Sequence, residues 1–415
     1  REYKLDNGLV VALQNTPTQT ISALLRVNYG TSHERDGEEG LAHFLEHCLV
    51  TGGSSRYTPE EADRIRDSFG YSNAHTSVGR TKFVGQFLSE DVSLWLDYIS
   101  DHVSRPKFDL ERVNGERQRV LREIADDKSN PEYKSGLELG KILYKSHPRG
   151  RRVLGKEEVI SGATQDVMRG FHSRGYHPNN MDLILVGGLP DSIGELIDSY
   201  FGSLVIGDNT RRDFPRLTPL EERVVLHNAA PDILNLDKPE DSSALIYLYY
   251  TGPTSMDEDS YPTYAMNYVL GFGTNSMLFQ NVGLKKGLAY RVSTNSSDEY
   301  NAGVLGISAA VPATKIEESL AAIFEEMQKM KAQKVDEKTI ERIRKVSKYH
   351  LAQAFESNEG HVRAIELKLD EGLTPEKHID GWNRVTSERV LEVASKYLPD
   401  RNGHYVLYIR DPLMK

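Results

Sequence analysis

The stretch His43-Phe44-Leu45-Glu46-His47 sets two imidazoles four residues apart with a carboxylate between them. On a helix, positions i, i+3 and i+4 share a face, so His43 and His47 can reach one Zn2+ at about 2.0–2.1 Å while Glu46 stays beside it. A catalytic zinc takes a third protein ligand and keeps a fourth position for water, whose pKa it lowers to roughly 7. Glu46 is then the base, and the chemistry is hydrolysis. With 13 His in 415 residues, independent draws give the order H-x-x-E-H about 0.03 times per chain of this size. The bland alternative, a helix with two half-exposed histidines and a solvated Glu, is the weaker reading.

The elements that must position these groups are also legible. Asp36-Gly37-Glu38-Glu39-Gly40 breaks the preceding pattern with two glycines and gathers acids where a helix start favours them. The missing ligand should be an acid or a His on another helix. Phe108 to Lys128 reads as that helix and offers Glu116 and Glu123, seven residues apart (123 − 116) and so on one face. Spacing alone leaves the choice between them open.

H-x-x-E-H is the order of the inverted zinc peptidases, and Glu116-Arg-Gln-Arg-Val-Leu-Arg-Glu123 resembles the matching helix of the pitrilysin or insulinase family, which includes the mitochondrial processing peptidases. The resemblance implies that Glu123, 76 residues after His47 (123 − 47), is the third ligand of one zinc per chain, and that Glu116 supports catalysis by holding the metal site from behind. It runs through most of the chain: LDNGLVVAL from Leu5 opens it, GYSNAHTS from Gly70 resembles a Gly-to-Thr strand, and Gly155 to Gly188 resembles the close of the first domain. The implied fold class is α+β, with two homologous domains, each an antiparallel-rich sheet with helices packed on it, facing across a chamber. Peptide substrate is then held as an added strand at a sheet edge, where Asn73, Ala74 and Thr76 match.

One position departs from the pattern. Members that engage substrate through their second domain carry Arg seven residues before a Tyr; here Tyr290 matches, but the Arg position is Gly283. Glycine cannot replace a guanidinium's fork of donors, and Lys285 and Lys286 read as solvated charges. The gap implies a dimer, specifically a heterodimer in which a homologous chain without H-x-x-E-H supplies the Arg/Tyr pair.

Length and composition agree. A chain of 415 residues is too long for one core; its expected organisation is a zinc-binding domain over 1–206, a linker over 207–222 rich in Gly, Pro, Asn and charge, and a homologous metal-free domain over 223–415. A net charge of −10 disfavours nucleic acid and anionic membrane as partners. The single Cys48 excludes an intrachain disulfide and reads as a small buried residue. No run of 18 apolar residues occurs, so no transmembrane segment is expected. The cytoplasm is slightly favoured as the compartment, although numbering from Arg1 leaves room for a leader.

The two halves repeat a design. Strand-like Leu9–Leu13 and Ser22–Gly30, the motif and a helical Tyr57–Gly70 are answered by Val224–Leu226, Ser243–Gly252 and a helical Tyr261–Gly271. Tyr264 to Tyr268 falls where the first half has its metal motif. Further helical patterns include Asn130–Leu143 and Glu337–Leu373, the latter broken at Asn358-Glu359-Gly360. The function expected is zinc-dependent endopeptidase activity with His43, His47 and Glu123 as ligands and Glu46 as general base. The alternatives are a non-catalytic assembly subunit of a processing-peptidase-like complex, which need not keep the ligand set, and a zinc-holding peptide-binding module, which needs no base at Glu46.

Overall fold

Period-two burial runs through strands such as Thr81–Leu88 and Ser243–Thr251, and amphipathic periodicity through the helices, of the computed structural model, which describes residues 1–130, 132–208 and 213–414. The first half of the chain contains β1 (Glu2–Lys4), β2 (Val10–Asn15), β3 (Thr20–Val27), α1 (Leu41–Thr51), α2 (Pro59–Ser68), β4 (Tyr71–Thr76), β5 (Thr81–Leu88), α3 (Val92–Ser104), α4 (Leu110–Ser129), α5 (Tyr133–Tyr144), α6 (Glu157–Gly162), α7 (Gln165–Gly175), β6 (Met181–Gly187) and α8 (Ile193–Phe201). The second contains β7 (Arg223–Ala229), β8 (Ser243–Thr251), α9 (Ser260–Gly271), β9 (Arg291–Ser297), β10 (Val304–Pro312), α10 (Ile316–Ala332), α11 (Glu337–Ala354), α12 (Asn358–Glu371), α13 (Pro375–Asn383), α14 (Ser387–Tyr397) and β11 (Tyr405–Asp411). The fold is α+β, with two sheets. The helical break expected at Asn358-Glu359-Gly360 falls just before it, because the Ser357 side chain accepts from the Gly360 amide and starts α12 there.

The chain divides into two units, each drawn from three segments. The first comprises Arg1–Asn130, Arg151–Asp213 and Ala352–Thr374, the second Pro131–Gly150, Phe214–Leu351 and Pro375–Lys415. Helix α5 thus belongs to the second unit and α12 to the first. Of the linker stretch 207–222, residues 209–212 lie outside the described residues.

In the first unit the strand order is β1-β2-β6-β3-β5-β4, with β2 and β6 parallel and the other pairs antiparallel. One face of this sheet packs Leu25, Leu185 and Phe83 against Phe44 and Leu45 of α1, Trp95 of α3 and Phe171 of α7. Its opposite face presents Ala12, Leu24, Ile184 and Val186, which α12 covers with Val362, Ile365 and Leu369. The same helix is tied down by charge: Arg26, 1% exposed, lies 2.8 Å from both Asp182 and Asp370, and Lys82 lies 2.6 Å from Glu366. Covering the second face with a helix explains why β6 is buried along its whole length.

The second unit repeats the pattern with the order β7-β11-β8-β10-β9. Its core joins Ile246, Leu248 and Tyr250 of β8 to Met266 and Leu270 of α9 and Ile323 and Met327 of α10.

Candidate metal centre

Gly40 opens α1 with φ of +102°, a conformation that disfavours a side chain, and a Cβ there would meet the Leu154 carbonyl oxygen at 2.7 Å. Helix α1 then buries Leu41, Phe44, Leu45, Cys48 and Leu49 and turns His43, Glu46 and His47 towards α4. Helix α4 begins where the Asp109 side chain accepts from the Arg112 amide, and it seats Val113, Val120 and Ile124 in the core. Glu116 and Glu123 lie one turn along from Val113 and Val120, at the border of this buried stripe.

The two helices bring three donor atoms together. His43 Nε2 and His47 Nε2 lie 3.2 Å apart, and each lies 3.8 Å from Glu123 Oε2. Bonds of about 2.0–2.1 Å in a tetrahedral array put neighbouring ligands about 3.3 Å apart, so this triangle fits one zinc with little adjustment. Among the described residues, this is the one His/Cys/Asp/Glu cluster able to hold a metal ion. The imidazoles are mostly buried, whereas Glu123 is 38% exposed, which leaves the centre open on the carboxylate side.

Electrostatics suit a neutral imidazole at His43 and a fixed orientation at His47. Burial, with His47 and His75 nearby, pushes His43 down to about 4. Burial also disfavours charge on His47, but its bond to Glu116 and the nearby Glu123, Glu116 and Glu46 outweigh it and raise its pKa. His47 Nδ1 lies 2.8 Å from Glu116 Oε2; a carboxylate only accepts, so Nδ1 carries the proton and Nε2 offers its lone pair to a metal. Burial raises the Glu116 pKa, but its bond to His47, the charge on His47 and the nearby Arg119 together outweigh this and leave it lowered.

Glu46 is 8% exposed, and its Oε2 is buried without a hydrogen-bond partner among the described residues. Burial raises its pKa against the bond from Thr76. Thr76 Oγ1 also lies 3.5 Å from the Ala42 carbonyl oxygen, so the end of β4 rests against α1.

Asn73 and Ala74 lie on β4, the edge strand that pairs only with β5. Asn73 is exposed and donates to the Tyr71 hydroxyl at 3.0 Å. Tyr290 lies in the second unit, 64% exposed, just before β9. Gly283 lies in a π-helical segment, Leu278–Lys285; Lys285 Nζ donates to Asn281 Oδ1 at 2.9 Å and Lys286 pairs with Glu325. Cys48 is buried with its thiol pKa pushed far up by burial, so it is inert. A residue that sequence reasoning missed is Glu34: its carboxyl accepts from amides six and eight residues onward, an interaction with no local periodicity to betray it.

Comparison with known proteins gives a consistent result. Residues 10–157 match the family model described as "Insulinase (Peptidase family M16)", and residues 162–347 match "Peptidase M16 inactive domain". An "Uncharacterized zinc protease" of Mycobacterium leprae is 30% identical over 74% of this chain and 68% of its own length. The mitochondrial-processing peptidase subunit beta of Neurospora crassa is 29% identical over 56% of this chain and 47% of its own. The crystal structure of a protease from Helicobacter pylori superposes with a TM-score of 0.83 at 21% identity, covering 99% of each chain.

Proposed function

Because this chain belongs to the insulinase (M16) family of peptidases, we propose that it is a zinc-dependent endopeptidase that hydrolyses peptides or unfolded segments. The observation that carries this reading is the convergence of His43, His47 and Glu123 on a triangle of zinc dimensions, with Glu46 one helical turn from His43 on α1. When bound, zinc supplies the Lewis acidity that brings the pKa of water to roughly 7.

The chain's own residues do the rest. Glu116 holds the Nδ1 proton of His47 and fixes the ring that faces Glu123. Glu46 takes a proton from water as the water oxygen bonds to the scissile carbonyl carbon, and returns it to the amine nitrogen as the C–N bond breaks. An extended peptide pairs with the free edge of β4, with Asn73 and Ala74 lining it; main-chain hydrogen bonds supply affinity there regardless of sequence. Thr76, at the end of the same strand, joins that edge to α1.

The working form is a dimer. Gly283 lacks the donors that would complement Tyr290, which supports a heterodimer whose second, homologous chain supplies an Arg/Tyr pair; the likeness to a subunit named beta points the same way. Native mass spectrometry of the complex from its source should give two different chains, and full peptide cleavage by the purified chain alone would contradict the partnership. The catalytic reading is tested by Glu46→Gln. It should retain zinc and lose cleavage of an unstructured peptide by ~10²–10⁴-fold, whereas unchanged cleavage would remove Glu46 from the reaction.

A further inference from the structure

Apolar contact seats α1 in the core, but such packing is non-directional and does not by itself set how far the helix slides along its axis. Its ligands tolerate little sliding, because one residue of helix rise is about 1.5 Å. A buried carboxyl reaches the start of α1. Glu34, 4% exposed, accepts at Oε1 from the Gly40 and Ala42 amides, both at 3.0 Å. These amides open the first turn, three residues and one residue before His43.

The base of Glu34 is itself fixed. The Thr31 and Ser32 amides donate to the Ser77 and Val78 carbonyls at 3.2 and 2.9 Å, and Arg151 donates to the Thr31 and Glu34 carbonyls. A Cβ at Gly30 would meet the Ser77 carbonyl oxygen at 2.3 Å, so this turn sits directly on the β4–β5 connection. The carboxyl therefore runs as a strut from the end of the sheet to the first turn of the metal helix.

We infer that Glu34 is a positioning residue for the zinc centre: its reach, rather than its charge, holds α1 at the axial setting that brings His43 and His47 to Glu123. The inference rests on the zinc reading above. Burial pushes the Glu34 carboxyl up to about 8 against the Ala42 and Gly40 bonds and Arg151, and its Oε2 has no hydrogen-bond partner among the described residues. A neutral acceptor of the same length would do the same work.

Three variants separate reach from charge. Glu34→Gln keeps the acceptor and the length, Glu34→Asp keeps the charge and shortens the strut, and Glu34→Met fills the space without an acceptor. Zinc affinity by chelator competition should stay within ~3-fold of wild type for Glu34→Gln and weaken by ~10-fold or more for Glu34→Asp and Glu34→Met, on the scale of other residues that orient metal ligands. In the Co2+-substituted protein, the visible ligand-field bands should shift for the latter two alone. Near-wild-type affinity in both folded variants that lack reach would overturn the inference, as would a Glu34→Gln loss as large as theirs. Failure of the wild-type chain to bind zinc would instead overturn the zinc reading.

Discussion

Glu116 shows what one hydrogen bond does at the metal centre. Its carboxylate meets Nδ1 of His47 at 2.8 Å and so sets both the tautomer and the ring plane. Replacing it with Gln keeps the shape but lets the amide present a donor in place of an acceptor. Glu116→Gln should therefore weaken zinc binding by ~10–100-fold, measured by competition with a chelator; unchanged affinity would show that His47 needs no orienting partner. His43, Glu46 and His47 were legible from spacing alone, because helical periodicity projects a short motif directly onto one face. For the third ligand, spacing offered Glu116 and Glu123 equally, and the structure places one at Nδ1 of His47 and the other against both Nε2 atoms. Glu34 was invisible in sequence since its partners are backbone amides, which every residue carries.

At the scale of elements, the strands and amphipathic helices were readable within a few residues. The helical pattern over Tyr57–Gly70 is one such case: it became α2, which the structure starts with a capping box between Thr58 and Glu61. The destination of α12 was not readable. Its apolar stripe of Val362, Ile365 and Leu369 would suit any sheet face; what selects its place is the pairing of Glu366 and Asp370 with Arg26, Arg80 and Lys82, remote in sequence. Asp370→Asn removes the charge that faces Arg26 and Arg80. Asn keeps an acceptor, so with a net loss of about 2 kcal/mol over the two pairs, amide exchange across 358–371 should accelerate ~30-fold if α12 opens locally. Exchange at the wild-type rate would mean that the apolar stripe alone docks the helix.

For the whole molecule, two units with related strand orders carry different chemistry. Among the described residues the metal-competent cluster lies in the first unit, and α9 of the second, whose Tyr264 to Tyr268 stretch is expected from sequence to stand in for the motif, carries no such cluster. The central claim is that the cluster of the first unit is a zinc centre. It is tested most directly by anomalous diffraction at the zinc absorption edge from crystals of the wild-type chain: the account predicts one peak per chain bonded to His43 Nε2, His47 Nε2 and the Glu123 carboxylate, and a zinc-supplied crystal with no peak between these groups would contradict it.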